Sequence, residues 1–183
     1  MSITTSRRGF MQLSATSMAI LSMGAGFASL TGCSKLPAAS GYQVLRAGDI
    51  EFLSALAPVV LAQSYPGTLS PEVAQERLMH MLDKLITTLQ GYAQGQLMML
   101  FDVVQSAPLR VAMDAQWASW AQASAADVER FLTSWKASAI PIKRMGYGSL
   151  SKLLCMCWYQ QPETFASSGY PGMPKKVNIT HPA

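Results

Sequence analysis

Apolar residues recur at intervals of three and four through most of the chain between residues 48 and 161, which is the spacing of one face of an α-helix. The cleanest stripe runs from Leu78 to Leu89. Ser70-Pro71 ahead of it is typical of a helix start, and Gly91 is placed to end the helix. No stretch alternates in the manner of a β-strand. The pattern predicts an all-α protein with one compact domain of about five to seven helices over residues 48–161.

Three further helices can be bounded from their starts. Asp49 is predicted as the N-cap of the first, which Pro58 should kink or end early. Ser124 with Asp127 resembles a capping box. A last helix follows Pro141 and is predicted to run to about Gln160, with an inward face of Met145, Leu150, Leu153, Leu154 and Trp158.

The two ends of the chain lack this periodicity. Residues 33–47 are predicted to form a tether that leads into the helical domain. Residues 162–183, which are rich in proline and glycine, are predicted to form an extended tail. Residues 1–32 have a different character again, because they combine charge at the start with a long apolar run.

That first segment is predicted to be an export signal. Arg7 and Arg8 precede an uncharged, mostly apolar run from Leu13 to Leu30 that ends in small residues. A transmembrane anchor is the alternative, although glycine and serine lower the hydropathy of the run. Ser6-Arg7-Arg8-Gly9-Phe10 resembles the twin-arginine signal, whose pathway carries proteins that are already folded. The other interpretation is the basic start of an ordinary secretory signal.

The segment ends in a second motif. Leu30-Thr31-Gly32-Cys33 resembles the lipobox of bacterial lipoproteins, in which the cysteine thiol receives a diacylglycerol and becomes the first residue of the mature chain. A chance cysteine beside a cleavage site is the alternative. Two or three acyl chains would hold the protein at a membrane without a transmembrane helix. The motif therefore predicts the periplasmic face of a bacterial membrane, although not which of the two membranes.

Composition narrows the partners of the mature chain. Removal of residues 1–32 leaves 151 residues, and the net charge falls from +4 to +2 because two of the 14 basic residues and none of the ten acids are lost. A balance this close to neutral argues against nucleic acid as a partner. Apolar residues make up 50% of the whole chain, which favours a surface that is partly covered by a partner.

Few residues in the chain are suited to catalysis. His80 and His181 are interpreted as a helix-surface and a tail histidine, and no Cys-x-x-Cys-His motif is present. Cys155 and Cys157 diverge on a helix, so buried thiols are predicted in preference to a disulfide. The sequence predicts no catalytic, cofactor-binding or metal-binding residue in this chain. Solvated helix faces are predicted for the carboxylates Glu72, Glu76, Asp83, Asp102, Asp114, Asp127 and Glu129.

The tail "WYQQPETFASSGYPGMP" at residues 158–174 and the helix "DIEFLSALAPVVL" at residues 49–61 carry a family resemblance. Together with the twin-arginine signal they resemble the small (gamma) subunit family of gluconate 2-dehydrogenase. Met173 stands where many members have proline. The resemblance implies a non-catalytic helical subunit that escorts, stabilises and tethers a glucose–methanol–choline (GMC) type dehydrogenase containing FAD, often with a cytochrome c subunit. It makes partner-binding candidates of Phe165, Gly169, Tyr170, Pro171, Gly172 and Pro174.

Two other functions remain open at this point. One is a free-standing helical periplasmic lipoprotein that binds a small apolar ligand or an envelope component. Methionines could line its adaptable pocket, although filling of the core is the simpler interpretation of them. The other is an independent enzyme, for which the chain offers no recognisable site. The methionines concerned are Met79, Met81, Met98, Met99, Met113 and Met145.

Overall fold

A computed structural model describes residues 36–112, 115 and 119–172 of the chain. Predictions that concern Arg7, Arg8, Phe10, Cys33, Met113, Asp114, Pro174 and His181 lie outside these residues. Within the described part the chain forms helices and no strand, so the predicted all-α domain is confirmed. None of the helices described is both long enough and apolar enough to span a membrane.

The helices follow one another with short connections. They are α1 (Ala47–Val60), α2 (Pro71–Thr88), α3 (Tyr92–Gln105), α4 (Ala107–Ala112), α5 (Ala125–Ala137), α6 (Pro141–Trp158) and the single turn α7 (Phe165–Ser168). Short 3₁₀ turns occupy Ala62–Ser64, Trp120–Gln122 and Pro162–Thr164.

Helix α1 lies at the centre of the fold and contacts α2, α3, α5 and α6. Its Phe52 is fully buried, with its ring edge-to-face against Trp120 at 4.7 Å between centroids. The aromatic contacts continue through Phe131 to Trp135 on α5. This run of rings fills the space between α1 and α5, and α6 covers it from the other side by packing on α5 and α2.

The helix starts were predicted with mixed success. Ser70 caps α2 with Pro71 as its first residue, and Ser124 and Asp127 form the predicted reciprocal capping box of α5. The Ser124 hydroxyl also holds the pKa of Asp127 below its usual value. The prediction that Asp49 caps α1 is wrong, because the helix begins two residues earlier and Arg46 is the cap. Gly91 does not end α2, which stops at Thr88; it precedes α3 with φ +58°.

The segment 37–46 is not the free tether that the sequence predicted. The buried Asp83 carboxylate on α2 accepts the backbone N–H groups of Gln43 at 2.8 Å and of Val44 and Leu45 at 2.9 Å. Leu45 is fully buried, so this part of the chain belongs to the domain. The prediction of a solvated face is therefore wrong for Asp83, since its carboxylate accepts hydrogen bonds from three backbone N–H groups that would otherwise have no acceptor.

A buried ion network joins α1 to α3. The Arg46 guanidinium donates to Asp49 at 2.8 and 2.9 Å and to Asp102 at 2.5 Å. Gln105 donates to Asp49 as well. The hydrogen bonds to Asp49, followed by those to Asp102, raise the pKa of Arg46 above its ordinary value. Asp102 is thus a second carboxylate that does not lie on a solvated face.

One residue of α6 does not lie where the sequence predicted. Met145 is 69% exposed instead of inward, because Gly146 is the residue that faces the core. A Cβ at position 146 would overlap the Trp135 ring, so the glycine permits close approach of α6 to α5. The other predicted inward residues of α6 are buried.

The two cysteines of α6 are free thiols, as predicted, but only one is buried. Cys157 is 1% exposed, and burial raises its pKa to about 12. Cys155 is half-buried, with its pKa raised by the same cause. Thiolate chemistry at neutral pH is therefore disfavoured at both positions.

Removal of the Asp83 carboxylate should loosen the segment 37–46. We expect Asp83→Ala to lower the free energy of unfolding by about 3 kcal/mol, because three backbone N–H groups lose their acceptor in a buried place. Urea denaturation measures this loss, and faster hydrogen exchange at Gln43, Val44 and Leu45 locates it. Glu76→Ala on an exposed position of the same helix is the control, with an expected change within about 0.5 kcal/mol. Equal effects of the two variants would contradict the assignment.

Candidate docking surface

The chain after α6 forms a compact surface feature instead of the predicted extended tail. Residues 162–168 are helical, as a 3₁₀ turn followed by α7. The prediction was wrong here because Thr164 is buried and its hydroxyl donates to the Gln161 carbonyl at 2.7 Å, which holds the chain against the end of α6. We call residues 165–172 the docking turn.

Two glycines shape the docking turn. Gly169 ends α7 in the left-handed region at φ +71°, and the Tyr170 N–H then donates to the Phe165 carbonyl at 3.0 Å. Gly172 has φ +89° and lies against the Phe165 ring. Both positions suit glycine because a side chain would strain the backbone there.

The turn presents apolar surface in a defined arrangement. The rings of Phe165 and Tyr170 pack edge-to-face, with 4.9 Å between centroids and an angle of 88°. Tyr170 remains 46% exposed and Pro171 is exposed beside it. Five of the six predicted partner-binding residues therefore lie within one short turn, and Pro174 lies outside the described residues. Such a preordered aromatic pair loses little conformational entropy when it is covered by a protein.

A cleft of about 710 Å³ lies next to this turn, between α2 and the 3₁₀ turn at Pro162–Thr164. Arg77 on α2 forms an ion pair with Glu163. The pKa of Glu163 is lowered, first by a backbone hydrogen bond and then by Arg77. His80 is exposed, as predicted, and its ring stacks on Tyr42 at 4.7 Å. The cleft is lined by Val73, Glu76, Arg77, His80, Met81, Lys84, Gln161, Pro162 and Glu163.

Gln161 is a candidate residue that the sequence analysis missed. It is only 5% exposed and lines the cleft, yet neither its amide nitrogen nor its amide oxygen has a hydrogen-bond partner among the described residues. A buried amide without partners costs stability, so it calls for an explanation. No sequence signal identifies it, because a glutamine after a helix end is ordinarily solvated.

The arrangement is suited to binding a protein. It offers the exposed Tyr170 packed on the half-buried Phe165, together with a mixed-charge rim, which is the anatomy of a polar protein interface. Among the described residues no three His, Cys, Asp or Glu side chains are close enough together to hold a metal ion. The absence of catalytic and cofactor-binding residues from this chain stays a prediction.

Comparison of the chain with protein-family models, with characterised proteins and with solved structures gives no match.

Replacement of Gln161 by an apolar side chain should not destabilise the isolated chain. We expect Gln161→Leu to leave the free energy of unfolding unchanged or to raise it by about 1 kcal/mol, because the cost of an unpaired buried amide disappears. Chemical denaturation is the measurement, with Gln160→Leu at the exposed neighbouring position as the control. A loss of more than about 1 kcal/mol for Gln161→Leu alone would mean that the amide is hydrogen-bonded within the chain.

Proposed function

We propose that this chain is a non-catalytic, lipid-anchored small subunit of an oxidoreductase complex. It escorts a GMC-type dehydrogenase, which carries FAD, through twin-arginine export. It then stabilises that partner and tethers it at the periplasmic face of the membrane. A cytochrome c subunit is a further candidate member of the complex. The proposal rests on the motifs at Arg7-Arg8 and Cys33 and on the resemblance carried by residues 49–61 and 158–174.

The observation that best supports docking is the ordered docking turn with its exposed Tyr170, and the buried, unpaired amide of Gln161 lies a few residues before it in the chain. Both features cost free energy in the isolated chain, since Gln161 buries unpaired polar atoms and the docking turn exposes the Tyr170 ring. A partner that bound the docking turn would enclose Tyr170 in an apolar pocket and remove the second cost. Pairing of the Gln161 amide with the partner would require that side chain to turn out of its buried position, because neither amide atom is accessible in the isolated chain.

The proposed order of events follows from the signal. The dehydrogenase folds around its FAD in the cytoplasm and binds the docking turn before export. The paired arginines then direct both proteins to the membrane, because the partner itself carries no signal. Diacylglycerol on Cys33 retains the complex after the signal is removed. None of these steps requires a side chain of this protein to change its protonation state.

Loss of the paired arginines should leave the partner in the cytoplasm. We expect Arg7→Lys together with Arg8→Lys to move at least nine-tenths of the dehydrogenase activity from the periplasmic to the cytoplasmic fraction, because the escort is no longer read by the export receptor. Cell fractionation with a dye-reduction assay measures the shift. Arg130→Lys, a substitution in α5, is the matched control. If the partner still reaches the periplasm in the double variant, the escort role is wrong.

Truncation of Tyr170 should weaken the complex without unfolding the subunit. We expect Tyr170→Ala to raise the dissociation constant for the dehydrogenase by roughly thirtyfold, as for an aromatic residue at the centre of an interface. Co-purification from membrane extracts, followed by flavin absorbance of the bound fraction, is the measurement. Tyr92→Ala is the control, because Tyr92 is 82% exposed at the start of α3 and away from the turn. A loss as large for Tyr92→Ala as for Tyr170→Ala would exclude the docking turn.

A further inference from the structure

A second cavity of about 500 Å³ lies between α3 and α6, with the end of α2 at its base, and we call it the α3–α6 groove. None of its residues belongs to the docking turn or its cleft. Leu85 comes from α2, Leu89 directly follows that helix, and Leu97 and Leu100 come from α3. The buried Trp135 ring forms its floor under Gly146.

The α6 wall follows a helical stripe of exposed and small residues. Ile142 is 66% exposed, Met145 69% and Met156 44%, and Ser149 lies between them. Ser149 contributes little volume, so the stripe is hollow at that position while its ends project, and Trp135 and Leu100 fill the space at Gly146. Met99, at 51% exposure, faces them from α3. Flexible methionines around a hollow can adapt to an inserted apolar chain.

The methionines that were considered from the sequence as the lining of one pocket do not lie together. Met79 is buried in the core and Met81 lines the cleft beside the docking turn. Met99 and Met145 do line the groove, and Met156, which was not predicted, joins them.

The polar side chains of the groove are basic or neutral. Lys143 and Lys152 lie along it with Gln96 and Ser149, and no carboxylate is among its lining residues in the part of the chain that the structure describes. The surrounding sequence shares this bias. Residues 130–162 contain five basic residues and no acidic one, and residues 84–101 contain no acidic residue either. The face is complementary to an apolar molecule that carries a negative charge.

The geometry favours a single chain over a helix or a bilayer. A Cβ at position 146 would come within 3.5 Å of Leu100, so α3 and α6 approach too closely at that point to admit a helix about 10 Å wide. A flat membrane surface would cover the projecting residues and leave the hollow at Ser149 unfilled. The volume of about 500 Å³ is within the range of sites for small ligands.

We propose that the α3–α6 groove binds a long-chain fatty acid, with the acyl chain along the leucines and methionines and the carboxylate beside the exposed Lys152. This site is independent of the docking turn. It gives the subunit a ligand of its own, and failure of the proposal would leave the escort role untouched.

Binding should depend on the length of the acyl chain. The full-length chain with Cys33→Ser is used, so that a lipid attached at position 33 does not compete. Laurate, myristate and palmitate are titrated below their micellar concentrations by calorimetry. We expect saturable binding of one molecule per chain, with affinity rising roughly tenfold for each added pair of methylene groups until the groove is full.

Two variants test the site itself. Ser149→Phe should fill the hollow and abolish binding of laurate, whereas Gly148→Phe, at a position outside the groove where a Cβ would meet nothing within 4 Å, should leave it unchanged. Lys152→Gln should weaken the binding of laurate about fivefold and leave the binding of 1-dodecanol unchanged. Lys152→Arg should restore the affinity for laurate. Lys136→Gln is the charge control, because Lys136 lies over the Tyr147 ring and outside the groove.

Three outcomes would overturn the proposal. One is the absence of saturable binding for all three acids. Another is binding that Ser149→Phe and Lys152→Gln both leave unchanged. The third is binding to phosphatidylglycerol vesicles, or loss of a co-purifying protein in Ser149→Phe, without binding of the free acids; the groove would then be a membrane or protein contact.

Discussion

The buried guanidinium of Arg46 is the interaction on which the arrangement of the helices depends. It lies between Asp49 on α1 and Asp102 on α3, so one side chain fixes the relative position of the two helices. With apolar contacts alone, the helices could slide along each other. A buried charge is tolerable only while its partners stay in place, and loss of one partner from such a network typically costs about 3–5 kcal/mol. The main effect of the network is therefore to fix the register of α1 against α3, and its net contribution to the free energy of unfolding is the smaller effect.

Asp83 extends the same constraint to the start of the domain. Its carboxylate on α2 gathers three consecutive N–H groups, and the chain passes from there directly to Arg46 and into α1. Two carboxylate sites thus hold residues 43–46 and the first turn of α1. The aromatic core between α1 and α5 then packs against helices whose ends are already fixed.

The sequence predicted those features of the fold that depend on local interactions. The caps at Ser70 and Ser124 and the apolar stripes of α2 and α5 depend on residues within one or two turns of each other, so the spacing reveals them. The environments of Asp83, Asp102 and Gln161 could not be predicted in this way. The partners of the two aspartates, and the absence of partners for the Gln161 amide, depend on residues far away in the sequence. Met145 was misplaced for a related reason, since the contact of Gly146 with Trp135 on another helix puts position 146, and not 145, on the inward face of α6. The aromatic residues of the docking turn were found by motif, but its helical form depends on the burial of Thr164.

The hydrogen bonds at Asp83 also determine how the domain responds to mechanical load. A pull on the chain from residues before Gln43 reaches those three bonds before it reaches α1. One carboxylate holds all three donors, and Tyr42 stacks on His80 just ahead of them. A domain held through its N-terminal end would thus be loaded at α2, in the middle of its core, and the first turn of α1 would be spared.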